Sequence, residues 1–148
     1  MGNLGLGMEM ECLSKLTKKQ RIAFIQTFLY LAHADGKLSK TEKDFIINLA
    51  EAYGLSEKDR DEVLSVKDEA TILKNAKSIK DKRAAMELIK ELCVLAYADE
   101  GLTDKELLFI GKIGKATGVK PEKIEQISKW VIDRIIWLEE GKLIFGYA

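Results

Sequence analysis

Two stretches of this chain align with one another without a gap. Leu31-Ala32-His33-Ala34-Asp35-Gly36-Lys37-Leu38-Ser39-Lys40-Thr41-Glu42 is answered by Leu95-Ala96-Tyr97-Ala98-Asp99-Glu100-Gly101-Leu102-Thr103-Asp104-Lys105-Glu106. The likeness runs on through Phe45-Ile46 and Phe109-Ile110, Ala52 and Ala116, and Gly54-Leu55 and Gly118-Val119. A repeat of this length implies two copies of one supersecondary unit sharing a core. Any chemistry carried by the repeated turn is then expected twice.

Each copy reads as helix, acidic turn, helix. Thr17-Lys18-Lys19-Gln20 is a capping box, with Thr and Gln placed to satisfy the first free N–H groups reciprocally. It predicts a helix to about residue 34, with Ile22, Ile25, Phe28 or Leu29, and Ala32 on one face. Ser39-Lys40-Thr41-Glu42 and Thr103-Asp104-Lys105-Glu106 are two more such boxes. The first carries Phe45, Ile46, Leu49, Ala50 and Tyr53; the second carries Phe109, Ile110, Ile113 and Ala116. Gly54 and Gly118 stop these helices, as left-handed C-terminal caps do. Between the copies, short helices are expected from Ser56 to about Leu64 and from Asp68 or Glu69 to Ala76. A long helix opens at Ser78 or Asp81 and reaches Ala98, with Met86, Ile89, Cys93 and Ala96 inward. Pro121 suits a first helical position. The last helix is expected to run to about Glu140, with Ile124, Ile127, Val131 and Ile135 on one face, and to stop at Gly141. A short apolar tail, Leu143-Ile144-Phe145-Gly146-Tyr147, is expected to dock on the body. The sum is all-α, a compact bundle of about seven helices.

With 148 residues, 47% hydrophobic and 32% charged, the chain suits one globular domain with a real core. Residues 1–13 read as a flexible segment and 14–148 as a single helical domain, with repeat 1 at about 17–64 and repeat 2 at about 81–139. Lys+Arg and Asp+Glu are both 24, which argues against nucleic acid as a partner. Cys12 and Cys93 stand far apart without CxxC spacing, so both are expected as thiols in a reducing cytoplasm. Residues 1–10 lack a basic start and a long apolar stretch, so no secretory signal is expected, nor does any run reach membrane-spanning length.

The order helix, Ala-Asp-Gly, Leu-Ser-x-x-Glu, then an amphipathic helix with Phe-Ile resembles the TerB-like family of tellurite-resistance proteins. The same domain type occurs in some J-domain co-chaperones. The resemblance rests on residues 31–55 and their echo at 95–119 and covers most of the chain from 16 to about 138. It implies a compact all-helical fold of about seven helices with internal pseudo-two-fold symmetry, and a role in tellurite, oxyanion or metal stress. The second copy departs from the pattern: its Gly101 stands one place later than Gly36, so the residue free to take positive φ has moved. The chain has no J-domain or His-Pro-Asp loop, so the co-chaperone role does not carry over.

The resemblance also implies a metal site at the acidic turns, which here maps onto Asp35 and Glu42 in the first copy and Asp99 and Glu106 in the second. Glu100 adds a further carboxylate. If the dyad runs between the turns, up to four carboxylates converge, and oxygen-only ligands favour Ca²⁺, Mg²⁺ or Mn²⁺. A competing structural reading exists for every one of them. Glu42 and Glu106 are third helical residues of capping boxes, and Asp35 and Asp99 suit backbone-bonded turns. An EF-hand is excluded, because the turn is too short and carries Lys37 and Ser39 among its positions. His33 has Tyr97 as its counterpart, which separates it from any duplicated ligand set. No nucleophilic triad can be built around one His, and no catalytic residue is assigned. The expected function is a non-catalytic interaction module with a protein partner. The alternative is a divalent-metal sensor or a metal-dependent hydrolase using the same carboxylates.

Two surface features complete the reading. Lys74, Lys77, Lys80, Lys82 and Arg83 form one basic cluster, and Lys15, Lys18, Lys19 and Arg21 a smaller one. Both are expected as solvated faces, with peripheral membrane association through anionic headgroups as their functional alternative. Trp130 and Trp137, one heptad apart, are expected mainly in the core. Trp137, Ile144, Phe145 and Tyr147 form the candidate interaction patch if they stand exposed.

Overall fold

A computed structural model describes residues 15–33, 40–52, 54–65, 67–98 and 103–146. Among the described residues, seven helices follow in order: α1 Lys18–His33, α2 Lys40–Ala52, α3 Glu57–Leu64, α4 Glu69–Ala76, α5 Lys82–Ala98, α6 Asp104–Thr117 and α7 Pro121–Phe145. The described residues contain no strand. The chain is all-α, and its helices pack as a bundle around one core.

The helix starts follow the local chemistry. The Thr17 hydroxyl accepts the Gln20 N–H at 3.2 Å, and the Gln20 side-chain oxygen accepts the Thr17 N–H at 2.9 Å. The Gln20 amide then donates to the Ser78 carbonyl at 2.8 Å, tying the start of α1 to the α4–α5 turn. Ser56 and Asp59 form the same reciprocal pair at α3. Asp68 caps α4 through the Thr71 N–H at 2.8 Å. Asp81, not Ser78, opens α5: it accepts the Ala84 N–H at 2.9 Å, while the Ser78 hydroxyl donates back to the Asn75 carbonyl. Pro121 is the first residue of α7, where its missing N–H costs nothing.

α1 and α5 hold the centre. α1 packs on α2, α3, α4 and α5, and α5 packs on α1, α6 and α7. α1 is therefore buried on more than the one face its periodicity implies: Ala23, Phe24, Ile25, Gln26, Thr27, Leu29 and Leu31 are all buried. In α5, Ala85, Leu88, Ile89, Leu92 and Cys93 are sealed together, and each such Leu or Ile stabilises the fold by about 1.5–3 kcal/mol relative to exposure. Met86 is only half-buried.

Helix starts in the two halves keep one spacing. Lys18 and Lys82, Lys40 and Asp104, and Glu57 and Pro121 each stand 64 residues apart. So do the two positive-φ glycines, Gly54 (φ 75°) and Gly118 (φ 84°). After each, the next N–H closes on the helix behind it: Leu55 on the Ala50 carbonyl at 3.0 Å, Val119 on the Gly114 carbonyl at 2.8 Å.

The last helix corrects the sequence reading. α7 passes through Gly141 and ends at Phe145, where Gly146 takes the left-handed cap (φ 71°). A glycine inside a helix costs only about 1 kcal/mol relative to alanine, so it does not stop a helix by itself. The described part of the expected tail does not fold back on the body. Leu143, Ile144 and Phe145 are helical, and they are 85%, 73% and 69% exposed.

Candidate functional site

α6 begins where the second acidic turn ends. Thr103 holds extended backbone, and its hydroxyl accepts the Glu106 N–H at 3.1 Å. The Glu106 carboxylate returns to accept the Thr103 N–H, also at 3.1 Å. Glu106 is buried. One of its oxygens therefore serves the helix start, as its place in the capping box implies.

Glu106 lines a cleft of about 390 Å³. Tyr30 and Leu31, in the last turn of α1, line the same cleft. Phe109 closes the floor, its ring tilted 37° against Tyr30 with centroids 4.8 Å apart. Lys105, Lys112 and Glu69 edge the opening, with Lys112 and Glu69 paired at 2.9 Å. One cleft thus joins the helix that leads into the first acidic turn to the helix that follows the second.

Asp35, Asp99 and Glu100 lie outside the described residues, as does the side chain of Glu42, which falls in α2. Among the described residues, no three His, Cys, Asp or Glu side chains gather in a way that would hold a metal ion. Of the four expected ligands, Glu106 alone has a described side chain. The His33 side chain, Cys12 and Tyr147 also lie outside the described residues.

Two thiol and hydroxyl positions define the interior near α7. Tyr97, the counterpart of His33, shares a hydrogen bond of 2.9 Å with the Ser128 hydroxyl. Burial pushes the Cys93 thiol up to about 11, against which a hydrogen bond with Ser128 acts weakly in the other direction. Cys93 is thus a protonated, packed thiol at neutral pH, unsuited to nucleophilic attack.

Two features escaped the sequence reading. The first is a buried ion cluster on α5: Lys90 stands 2.9 Å from Glu87 and 3.2 Å from Glu91, all three with little exposure. Arg83 reaches Glu87 from the exposed side at 3.3 Å. The spacing of 83, 87, 90 and 91 puts these charges on adjoining helical rows. The second is the outer face of α6, where Leu107 and Leu108 are 49% and 61% exposed. Their counterparts 64 residues earlier are Lys43 and Asp44, both exposed. Charge in one copy and leucine in the other was the available signal.

The aromatic expectation divides. Trp130 and Trp137 are 52% and 70% exposed, so neither is a core residue. The Arg134 guanidinium lies over the Trp130 ring, 5.9 Å from its centroid. The basic clusters are exposed apart from Arg21, which is half-buried. No described helix is long and apolar enough to cross a membrane.

Residues 9–65 match the family model for Tellurite resistance protein TerB. Comparison with curated proteins and with solved structures gives no match. The matched region takes in α1, α2 and α3, and hence the whole first copy of the repeat.

Proposed function

From a TerB-like module over residues 9–65, we propose that the chain is a non-catalytic interaction module of a tellurite, oxyanion or metal stress response. In this reading the repeat presents two acidic turns together, and Asp35 and Asp99, with Glu100, are the groups offered to a basic protein partner. The observation that carries it is the shared cleft. Leu31, four residues before Asp35, and Glu106, seven residues after Asp99, line one depression. That shared lining supports a reading in which the two turns act jointly.

The chemistry of Glu106 supports contact over catalysis. A carboxylate that already accepts a backbone N–H has less capacity left to bind a metal ion or to move a proton. Cys93 supports the same side, because a buried neutral thiol offers no nucleophile.

The test is the D35N/D99N double variant of the full chain, which removes both turn charges and keeps their size. Cells exposed to tellurite and protected by the wild-type chain are expected to lose that protection with the variant, while circular dichroism stays unchanged. Full protection by a folded D35N/D99N chain overturns the proposal. Calorimetric titration with Ca²⁺, Mg²⁺, Mn²⁺ and Zn²⁺ separates the metal sensor from the protein-contact module. Saturable, stoichiometric heat that D35N/D99N abolishes assigns the turns to a cation instead.

A further inference from the structure

We propose that the cleft between α5 and α7 is a binding site for a small phosphate monoester with an aromatic body. The cleft holds about 460 Å³, within the usual range for small-molecule sites. Two helical faces build it. α5 contributes Arg83, Glu87 and Lys90, and α7 contributes Lys123 and Gln126. On each helix these residues step by three or four, which keeps them on one side. Met86, Ile127 and Trp130 supply the apolar part of the same lining. Met86 and Ile127 are half-buried, and Trp130 is exposed at the edge. None of these residues belongs to the acidic turns, so the proposal stands apart from their joint action.

Charge selects the ligand. Glu87 is the one carboxylate among the described residues of the lining, against Arg83, Lys90 and Lys123. Lys90 is buried and held by Glu87 at 2.9 Å and Glu91 at 3.2 Å, so its charge is already met. The other two cations are not met in this way. Arg83 reaches Glu87 through Nε alone, at 3.3 Å. Among the described residues, Lys123 reaches only the neutral side-chain oxygen of Gln126, at 3.0 Å. Glu122 and Glu125 are exposed on the same part of α7 and do not line the cleft. The first copy of the repeat shows the contrast. There Lys18 pairs with Asp59 at 3.4 Å; their counterparts 64 residues on are Lys82 and Lys123. An ion pair in one copy is two cations in the other. A guanidinium end and an ammonium offered from two helices suit a doubly charged phosphate, whereas a carboxylate is satisfied by one guanidinium fork. Trp130 and the Met86 thioether then offer contact to a flat aromatic body.

Phenyl phosphate is the probe, and Trp130 reports on it. In a full chain carrying Trp137→Phe, Trp130 is the one tryptophan. Its fluorescence is expected to change saturably, with a Kd below about 1 mM at low salt, and calorimetry on the wild-type chain is expected to give the same constant. Arg83→Gln and Lys123→Gln, both at exposed positions, are each expected to weaken binding about tenfold with unchanged helicity. Inorganic phosphate is expected to bind about tenfold more weakly than phenyl phosphate, and phenol not to saturate. No saturable fluorescence change or heat up to about 10 mM phenyl phosphate overturns the proposal, as does binding indifferent to both substitutions. Inorganic phosphate as tight as phenyl phosphate overturns the aromatic body, and benzoate as tight overturns the choice of phosphate. A chain that ignores phenyl phosphate but co-sediments with phosphatidic acid–phosphatidylcholine vesicles, and loses them in R83Q/K123Q, assigns the cleft to a lipid headgroup and overturns the soluble ligand.

Discussion

The two halves of the molecule begin their helices in step and then treat their surfaces differently. α1, α2 and α3 start 64 residues before α5, α6 and α7, and Gly54 and Gly118 end the middle helices in the same left-handed way. Past that frame they diverge. α3 stops after 8 residues, whereas α7 runs for 25. The outer face of α2 carries Lys43 and Asp44 where α6 carries Leu107 and Leu108. Inside, Gln26 and Thr27 of α1 stand opposite in sequence to Lys90 and Glu91 of α5. Gln26 can remain a neutral amide because α3 ends nearby, and the Glu62 carbonyl in its last turn accepts the Gln26 side-chain N–H at 2.9 Å alongside the Ser65 N–H and hydroxyl. α7 continues past the corresponding Gln126, whose carbonyl stays within the helix. Lys90 instead finds Glu87 and Glu91 on its own helix. The duplicated frame keeps the helix starts and the two glycine stops, and the copies depart from one another both at the surface and among these buried polar residues.

The sharpest way to break this comparison is at the buried polar pair. Lys90→Met removes the buried cation beside Glu87 and Glu91, leaving Glu87 the exposed Arg83, and is expected to cost about 3–5 kcal/mol. Gln26→Met removes one neutral hydrogen bond and is expected to cost about 1 kcal/mol. Urea unfolding of both variants checks the contrast, and equal losses would remove it. The core makes the opposite expectation, of likeness. Ile46 and Ile110 are counterparts and both are sealed, so Ile46→Ala and Ile110→Ala should each cost about 2–4 kcal/mol. A negligible loss at either site would show that the halves do not share the core equally.

Smaller effects sharpen the frame itself. Ala50 and Gly114 occupy the same place, but a Cβ on Gly114 would overlap the Ile124 Cδ1 and meet the Val119 carbonyl at 3.1 Å. Gly114→Ala is therefore expected to destabilise by about 1–2 kcal/mol, against the usual helix preference for alanine, with the loss reduced in a Gly114→Ala/Ile124→Val double variant. Thr17→Ala and Thr103→Ala each remove a reciprocal cap and should cost about 1 kcal/mol, read from thermal melts.

Acid distinguishes the third helices with the smallest effect. The hydrogen bond from the Ser56 hydroxyl holds the Asp59 carboxyl below its ordinary value, with Lys18 at 3.4 Å adding in the same direction. A lowered folded-state value means support that is present above the ordinary carboxylate range and lost as pH falls through the lowered one. α7 begins at Lys120 without a side-chain cap. Amide exchange near Arg60 is therefore expected to quicken, relative to its intrinsic rate, between about pH 5 and pH 2, with no matching change near Ile124. Equal responses at the two helix starts would contradict the assignment.

Much of this was legible in residues 15–146. The reciprocal caps at Thr17 and Thr103 are local chemistry, complete within four residues, and so are readable before any folding; the box at Ser39 lies outside the described residues, and Ser56, read only as a helix start, adds a reciprocal cap of its own. The glycine stops at 54 and 118 follow from backbone freedom alone. Position in the bundle is a different kind of information. The burial of Phe24, Gln26 and Thr27 on several sides of α1 arises because four other helices surround it, which no periodicity within α1 records. Gly141 misled for the converse reason: permissiveness allows a stop without requiring one, and the apolar residues beyond it continued the helix. At the candidate site, the capping role of Glu106 was legible. Its meeting with Tyr30 and Leu31 in one cleft was not, because it depends on how α6 lies against α1.

The joint action of the two acidic turns stands at the centre of the functional proposal, and their separation tests it most directly. Spin labels at Asp35→Cys and Asp99→Cys, in a Cys12→Ser background, report that distance by pulsed electron resonance, with buried Cys93 shielded from the label. Turns sharing one side of the bundle give a narrow distribution below about 20 Å. A peak near about 30 Å, the diameter of a small domain, places them on opposite poles and contradicts a shared site.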